Sequence, residues 1–404
     1  MTDDVASSQS GPLSGARILI ITHYAAEVQG SRRACTALLE SSVPAIVRAG
    51  GKAFVAPIQA DDRQREERWI RGLGGEVLWV PLRPRTNPFY LGRLRRALDD
   101  LQPDLVHAQF IPADLYGGLA ALRARNKPAV LITAHNLYRT LRTWRVLLPV
   151  YRGMLRQGVR FTGVSKAVTD SIAGPLGVPS EQIEVLLNAR EPLAPITPDE
   201  RRAAKSAHGL DPATLVIGFC GRVTHQKGVD TLLRAFAEFR RSRADSALFI
   251  CGDGDQVPSL RELAGQLGIA AAVRFQGPYM DVRAATQPMD FVVMPSRWEG
   301  LPIAATEVAM LGLPLVCSDI EPMAELAERL GVTGWPRIVA QGSTDVAGIA
   351  AAMAEVAGSP ETYELAAQEA SRSATDLFAR QGSERLIALY RELLDLRSPS
   401  TAAR

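Results

Sequence analysis

Short apolar runs alternate with longer amphipathic stretches from one end of the chain to the other. Runs at 16–22, 52–57, 76–81, 104–108, 129–133, 160–164 and 184–187 are rich in Val, Ile and Leu. They are too short for buried helices and bounded by turn residues, so they predict strands. Helical patterns lie between them, at 31–49, 90–101 and 114–126 for example. Strand, helix, strand at this spacing predicts a parallel sheet with helices on both faces. The alternation halts in a proline-rich stretch around 188–214, then restarts with runs at 215–220, 247–251, 272–276, 289–295 and 314–319. It closes in helical patterns at 343–357, 361–372 and 379–396. The prediction is an α/β chain with two doubly wound, Rossmann-like domains, at 16–190 and 214–378, joined by a connection at 191–213. In such sheets ligands bind beyond the carboxyl ends of the strands, which makes the cleft between two facing domains the expected site.

The chain has 404 residues, enough for two or three domains with full cores. Lys and Arg number 46 against 43 Asp and Glu, for a net charge of +3. That balance excludes a protein that wraps nucleic acid, so any basic function must be a local patch. Cys35, Cys220, Cys251 and Cys317 form no C-x-x-C pair, so a zinc site or a disulfide framework is unsupported, and Cys220, Cys251 and Cys317, each ending an apolar run, are expected to be buried thiols in a reducing cytoplasm. No apolar stretch is long enough to span a bilayer. Residues 1–15, acidic and rich in Ser and Gly, read as a disordered leader without a signal-peptide core.

Candidate chemistry concentrates in the second half, at the carboxyl ends of successive expected strands. In GFCGRVTHQKG (218–228), Arg222 and Lys227 follow Gly221 in a tight strand-to-helix loop, an arrangement that suits an anion or, read plainly, a solvated loop. In CGDGDQ (251–256), Gly252 and Gly254 would let a ligand approach the backbone, and Asp253 and Asp255 raise the question of a metal. FQGPYMDV (275–282) is a turn after a strand. In PSRWEGLPIAATEVAM (295–310), Glu299 and Gly300 sit in a loop, Pro302 suits a first helical turn, and Glu307 lies about five residues into that helix. Two acids at different depths beside a helix amino terminus suit the hydroxyls of an extended ligand better than a glycosidase pair.

Taken together, these segments resemble the retaining glycosyltransferases of family 4. Their pattern is G-R, four residues, K-G; then G-x-G; then P-S, two residues, E-G, and a second Glu eight after the first. Gly221–Arg222, Lys227–Gly228, Gly252–Gly254, Pro295–Ser296, Glu299–Gly300 and Glu307 match it in order. The resemblance implies the two-domain GT-B fold, with a last helix at 379–396 returning to the first domain. It implies transfer of a hexose-type sugar from a nucleotide-diphosphate sugar, UDP- or GDP-linked, with retention of configuration. Arg222 and Lys227 would hold the diphosphate, Glu307 the ribose and Glu299 the transferred sugar. Backbone N–H groups near Leu301 would meet a phosphate, with Gly300 and Pro302 alongside, and Pro278 and Tyr279 would border the base. Because the two cations already supply positive charge, a metal-free mechanism without a cofactor is expected, and Asp253 and Asp255 read as turn acids. The alternative is a non-catalytic nucleotide-sugar binding or regulatory protein on the same fold.

In the first half, the resemblance gives His135, just after a strand in LITAHNLYR, a place near the transferred sugar as a neutral imidazole. Gly30, Ser31 and Arg32 stand where family members carry an acceptor-side double glycine. Arg32 with Arg33 would meet an acidic acceptor, or be plain solvated cations. The acceptor would be a carbohydrate, a lipid-linked sugar or a small metabolite. The stretch 138–160 is rich in Arg and lacks acids, a composition that suits anionic lipid; an ordinary packed helix, interrupted at Pro149, is the preferred reading.

Overall fold

The computed structural model describes residues 11–24, 33–59, 62–80, 89–137, 144–279, 281–339 and 344–397. The chain divides into two compact units. The first takes in residues 34–191 with the chain before Val28 and after Leu377, and the second takes in 192–377.

The first unit is built on seven parallel strands: β1 Arg17–Tyr24, β2 Lys52–Gln59, β3 Glu76–Val77, β4 Leu105–Gln109, β5 Ala129–Ala134, β6 Arg160–Gly163 and β7 Glu184–Val185. Their order is β3-β2-β1-β4-β5-β6-β7. Ile18, Leu19, Ile20 and Ile21 are all fully buried, because helices cover both faces of β1 and successive side chains all find apolar neighbours. Helix Gly382–Asp395 lays Leu389, Tyr390 and Leu393 into the same core as Ile18, Val55 and Leu105.

The second unit repeats the scheme with β8 Leu215–Cys220, β9 Ser246–Cys251, β10 Val273–Gly277, β11 Phe291–Met294, β12 Leu315–Ser318 and β13 Arg337–Val339. Their order is β10-β9-β8-β11-β12-β13. Helix Val229–Phe239 buries Val229, Leu232, Leu233 and Phe236, the stripe that a 3.6-residue period sets against a sheet. In both sheets the order reverses beside the first strand, between β1 and β4 and between β8 and β11. That reversal opens a crevice at the carboxyl ends of those strands.

Five features differ from the sequence reading. Residues 11–15 are not part of a loose leader: Leu13 is buried with Ile18 and Val43, and the Leu13 and Gly15 amides bond to the carbonyls of Ala49 and Gly50. The connection at 191–213 contains helix Pro198–Ala207, started by a capping box between Thr197 and Glu200 and tied to the second unit by Lys205 on Asp290 at 2.7 Å. Pro149 does not break its helix, which runs Trp144–Arg156 and buries Tyr151 and Met154; residues 138–143 of that basic stretch lie outside the described residues. A last strand, β13, completes the second sheet. The final helix is entered through a π-helical segment, Thr375–Gln381, and the change from one unit to the other falls inside it.

All four cysteines are buried and free. Among the described residues no helix is long and apolar enough to cross a membrane.

Candidate active site

The sequence motifs of the second half converge at the carboxyl ends of β8, β9, β10 and β11, with β8 and β11 flanking the crevice. The loop after β8 turns sharply at Gly221 (φ 148°), passes through a 3-10 turn at His225–Lys227, and enters helix Val229–Phe239 through Gly228 (φ 66°). Side chains rarely adopt these backbone angles, and at Gly228 a Cβ would also stand 2.1 Å from the Pro295 carbonyl oxygen. The β8 and β11 loops are thus packed backbone to backbone.

Across that contact the polar groups form one network. Lys227 Nζ donates to Glu299 Oε1 at 2.5 Å, and Ser296 Oγ donates to the same oxygen at 2.7 Å. Gln226 Nε2 donates to the Trp298 carbonyl at 2.8 Å and reaches Glu299 Oε2 at 3.4 Å, while its Oε1 accepts from Arg222 Nη2 at 2.7 Å. Arg297 ties the β11 loop to Asp230, in the first turn of helix Val229–Phe239, at 2.8 Å and to the His225 carbonyl at 2.6 Å. Glu299, Ser296 and Glu307 are buried. A carboxylate held by an ammonium and a hydroxyl is fixed in place, and so is the ammonium.

Glu307 lies five residues into helix Ile303–Met310, which Pro302 precedes. The Pro302 carbonyl accepts from the Ala305 and Thr306 amides at 2.8 and 3.1 Å, so the first turn is well formed. The Ile303 amide bonds to the Leu301 carbonyl at 2.9 Å, and the amino end of this helix, with its partial positive charge, directly follows the loop that carries Glu299 and Gly300.

The glycines of the β9 loop have a packing purpose that the sequence alone did not show. A Cβ on Gly252 would stand 1.7 Å from the Gly221 carbonyl oxygen, and one on Gly254 2.1 Å from the Val223 carbonyl oxygen. The Val223 amide also donates to the Asp253 carbonyl at 2.9 Å. These glycines are required by the chain's own β8 loop. Asp253 Oδ1 accepts from the Gly254 amide at 2.8 Å, which makes it a turn acid, and Asp255 is exposed. Among the described residues no cluster of three or more His, Cys, Asp or Glu side chains could hold a metal ion. Pro278 is exposed and Tyr279 half-buried just after β10.

The first unit has its own buried polar cluster at the end of β4 and β5. His135 Nε2 lies 3.0 Å from Gln109 Oε1, and its ring stacks on Phe110 with centroids 4.0 Å apart. His107 Nδ1 lies 2.7 Å from Tyr390 Oη and 3.3 Å from Gln109 Nε2, while its Nε2 meets Thr133 Oγ1 at 2.7 Å. Burial lowers the pKa of His107 to about 3, and burial together with the His107 ring lowers that of His135 to about 3, so both imidazoles are neutral.

Two family descriptions match the sequence: Glycosyl transferases group 1 over residues 200–373 and Glycosyltransferase Family 4 over residues 44–191. The chain belongs to the GT-B glycosyltransferases. The lipopolysaccharide core biosynthesis mannosyltransferase LpsB of Rhizobium meliloti is 27% identical over 205 residues, 49% of this chain and 57% of LpsB. The D-inositol 3-phosphate glycosyltransferase of Mycolicibacterium gilvum is 37% identical over 145 residues, 35% of this chain. This chain's match spans only 33% of that relative's length. The same fold is seen in the solved structure of Anabaena Alr3699/HepE in complex with UDP-glucose: TM-score 0.74, 19% identity, 92% of this chain and 98% of that one.

In this glycosyltransferase, then, Gly221, Arg222, Lys227, Glu299, Gly300, Leu301, Pro302 and Glu307 come together on the β8 and β11 side of one crevice. Gly252 and Gly254 pack against the backbone of Gly221 and Val223, and Pro278 and Tyr279 follow β10. His135 belongs to the other unit. Gly30, Ser31 and Arg32 lie outside the described residues. Sequence reasoning assigned no role to Gln226 or Ser296, although both fall inside the quoted motifs. Nor did it single out His107, Gln109 or Tyr390: His107 and Gln109 meet within β4, but their other partners, Tyr390, Thr133 and His135, are 26 to 283 residues away.

Proposed function

We propose that this chain transfers a sugar from a UDP- or GDP-sugar to an acceptor hydroxyl with retention of configuration and without a metal ion. The observation that carries the reading is the β8/β11 network, where Arg222, Lys227 and Glu299 meet beside the amino end of the helix bearing Glu307. A nucleoside diphosphate has an anionic centre with hydroxyl-rich groups on either side. Arg222, Lys227 and the positive end of the helix dipole match the centre, while Glu299 and Glu307 match the hydroxyls of the sugar and the ribose. In the ground state Lys227 is held by Glu299. As the glycosidic bond breaks, charge grows on the leaving diphosphate, and two fixed cations stabilise that charge more than they stabilise the bound donor. The leaving phosphate takes the acceptor proton, so no protein nucleophile is assigned. His135, neutral and buried, hydrogen-bonds a hydroxyl of the transferred sugar. The HepE complex with UDP-glucose supports a nucleotide-sugar donor, and the mannosyltransferase name of LpsB supports transfer of a hexose.

Donor choice is read by thermal shift against a panel of nucleotide sugars, since a ligand of the folded state raises its stability. Transfer is then assayed with and without EDTA, and with Glu307→Gln. Stabilisation by one donor, product with the donor's anomeric configuration, EDTA-insensitive turnover and a severe loss in Glu307→Gln are expected. Turnover abolished by EDTA and restored by a divalent ion would reject the metal-free mechanism, and a fully active Glu307→Gln would reject the ribose contact.

A further inference from the structure

The cluster around His107 has a direction that follows from one buried hydroxyl. Tyr390 is fully buried, and among the described residues its Oη has a single hydrogen-bond partner, His107 Nδ1. Were His107 to carry its proton on Nδ1, the Tyr390 proton would be left without an acceptor, a cost that buried donors rarely bear. Tyr390 therefore donates, and His107 Nδ1 is the bare nitrogen. The His107 proton sits on Nε2 and goes to Thr133 Oγ1, which in turn lies 2.8 Å from Thr162 Oγ1.

The same bare nitrogen fixes the next group. Only the amide N–H of Gln109 can face it, as the 3.3 Å contact shows, so Gln109 Oε1 points the other way. That oxygen accepts and cannot donate, and it lies 3.0 Å from His135 Nε2. His135 must then carry its proton on Nε2. Its ring is held in plane by Phe110, whose stacking position rests on a left-handed backbone (φ 65°) that a large side chain rarely adopts. Among the described residues no hydrogen bond occupies His135 Nδ1.

We propose that Tyr390, His107 and Gln109 are positioning residues that lock His135 in the Nε2–H tautomer and leave Nδ1 to accept a hydrogen bond from a ligand hydroxyl. This rests on the reading of His135 as a sugar contact only in naming the ligand; the tautomer itself is a property of the unliganded protein. It makes the helix that carries Tyr390 part of the reacting machinery as well as of the core. A hydroxyl that meets His135 must act as donor, so a deoxy or fluoro substitution there removes the bond, since fluorine cannot donate.

The test is made on the full chain labelled with 15N-histidine, whose two-bond proton–nitrogen spectra tell the two neutral tautomers apart. His135→Asn assigns the signal. The wild type should show His135 wholly as Nε2–H. Tyr390→Phe, which keeps the ring and loses only the hydroxyl, and Gln109→Leu should both bring in the Nδ1–H form. With the identified donor, kcat should fall roughly two- to tenfold in both variants, the span of one net hydrogen bond, with donor KM little changed. A wild-type proton on Nδ1, or an unchanged His135 tautomer in two folded variants, overturns the proposal. A shifted tautomer with unchanged kcat upholds the positioning chain and instead removes the sugar-contact reading of His135.

Discussion

Two neutral imidazoles sealed in one core make the first unit sensitive to mild acid. His107 and His135 keep pKa values of about 3 in the fold because burial disfavours the imidazolium, and the usual value for an exposed histidine is near 6.5. The folded value is depressed, so between these limits the unfolded chain binds protons that the fold does not. Unfolding is then favoured progressively as pH drops below about 6.5. Among the described residues no carboxylate pairs with either ring to oppose this: their partners are Tyr390, Gln109, Thr133 and Phe110. From pH 7 to pH 5 each ring costs roughly 2 kcal/mol, and the two together about 4, a large part of the 5–15 kcal/mol typical of a domain. Because two units need not unfold together, the measurement should be local. Hydrogen exchange of peptides from β4 and β5, corrected for intrinsic rate, reads the opening free energy at pH 7, 6 and 5. The wild type should lose about 4 kcal/mol across that range, and His107→Gln about half as much. An opening free energy that is flat from pH 7 to pH 5, or an equal loss in the wild type and in the double variant lacking both rings, would refute the reasoning.

Two further predictions concern the second unit. Gly252→Ala should push the β9 loop off the β8 loop, since its Cβ would lie 1.7 Å from the Gly221 oxygen on a backbone of φ 145°; differential scanning fluorimetry should show at least about 1 kcal/mol of destabilisation and weaker UDP or GDP binding, and wild-type behaviour would remove the packing argument. Glu299→Gln releases Lys227 from its carboxylate, so titration calorimetry should find free nucleoside diphosphate bound more tightly while turnover falls; weaker diphosphate binding in a folded variant would show that the ion pair holds Lys227 for the anion rather than competing for it.

Much of the fold is written in local apolar runs, and what escaped reading escaped for identifiable reasons. Strand β8, Leu215–Cys220, is an unbroken apolar run because both its faces are covered. Strand β13 is three residues opened by Arg337, with no run to see. Helix Pro198–Ala207 has a readable capping box, but it buries Arg201 and Lys205 rather than an apolar stripe, pairing them with Glu364 and Asp290, so a search for periodic hydrophobicity passes over it. Leu13 is one apolar residue among polar ones, and only the Ala49 turn above it decides that it is inside. At the site, the order of Gly221, Arg222, Lys227, Glu299 and Glu307 was legible because the chain meets them in successive strand-end loops. The purpose of Gly252 and Gly254 was not. A glycine announces that something comes close, and only the fold tells whether that neighbour is a ligand or another loop.

The two sheets share one order, and the placement of polar groups follows from it. Along the middle of β1 and β8 both faces are covered, so an unpaired polar side chain there would be buried without a partner. At the carboxyl ends beside the order reversal, neighbouring loops diverge and can each supply a partner. In the second unit the loops after β8 and β11 balance cation against carboxylate, Lys227 on Glu299, so the charges stay paired without a ligand and are poised to be re-paired by an anionic one. In the first unit the ends of β4 and β5 carry neutral groups instead, and their hydrogen bonds converge on His107 Nδ1, from Tyr390 on one side and from His135 through Gln109 on the other. In the proposed reaction the charged crevice meets the leaving diphosphate, whose charge grows as the bond breaks. In the same proposal the neutral cluster meets hydroxyls, which must be oriented and not ionised. One topology thus supplies both environments, and the difference between them lies in the side chains that end each strand.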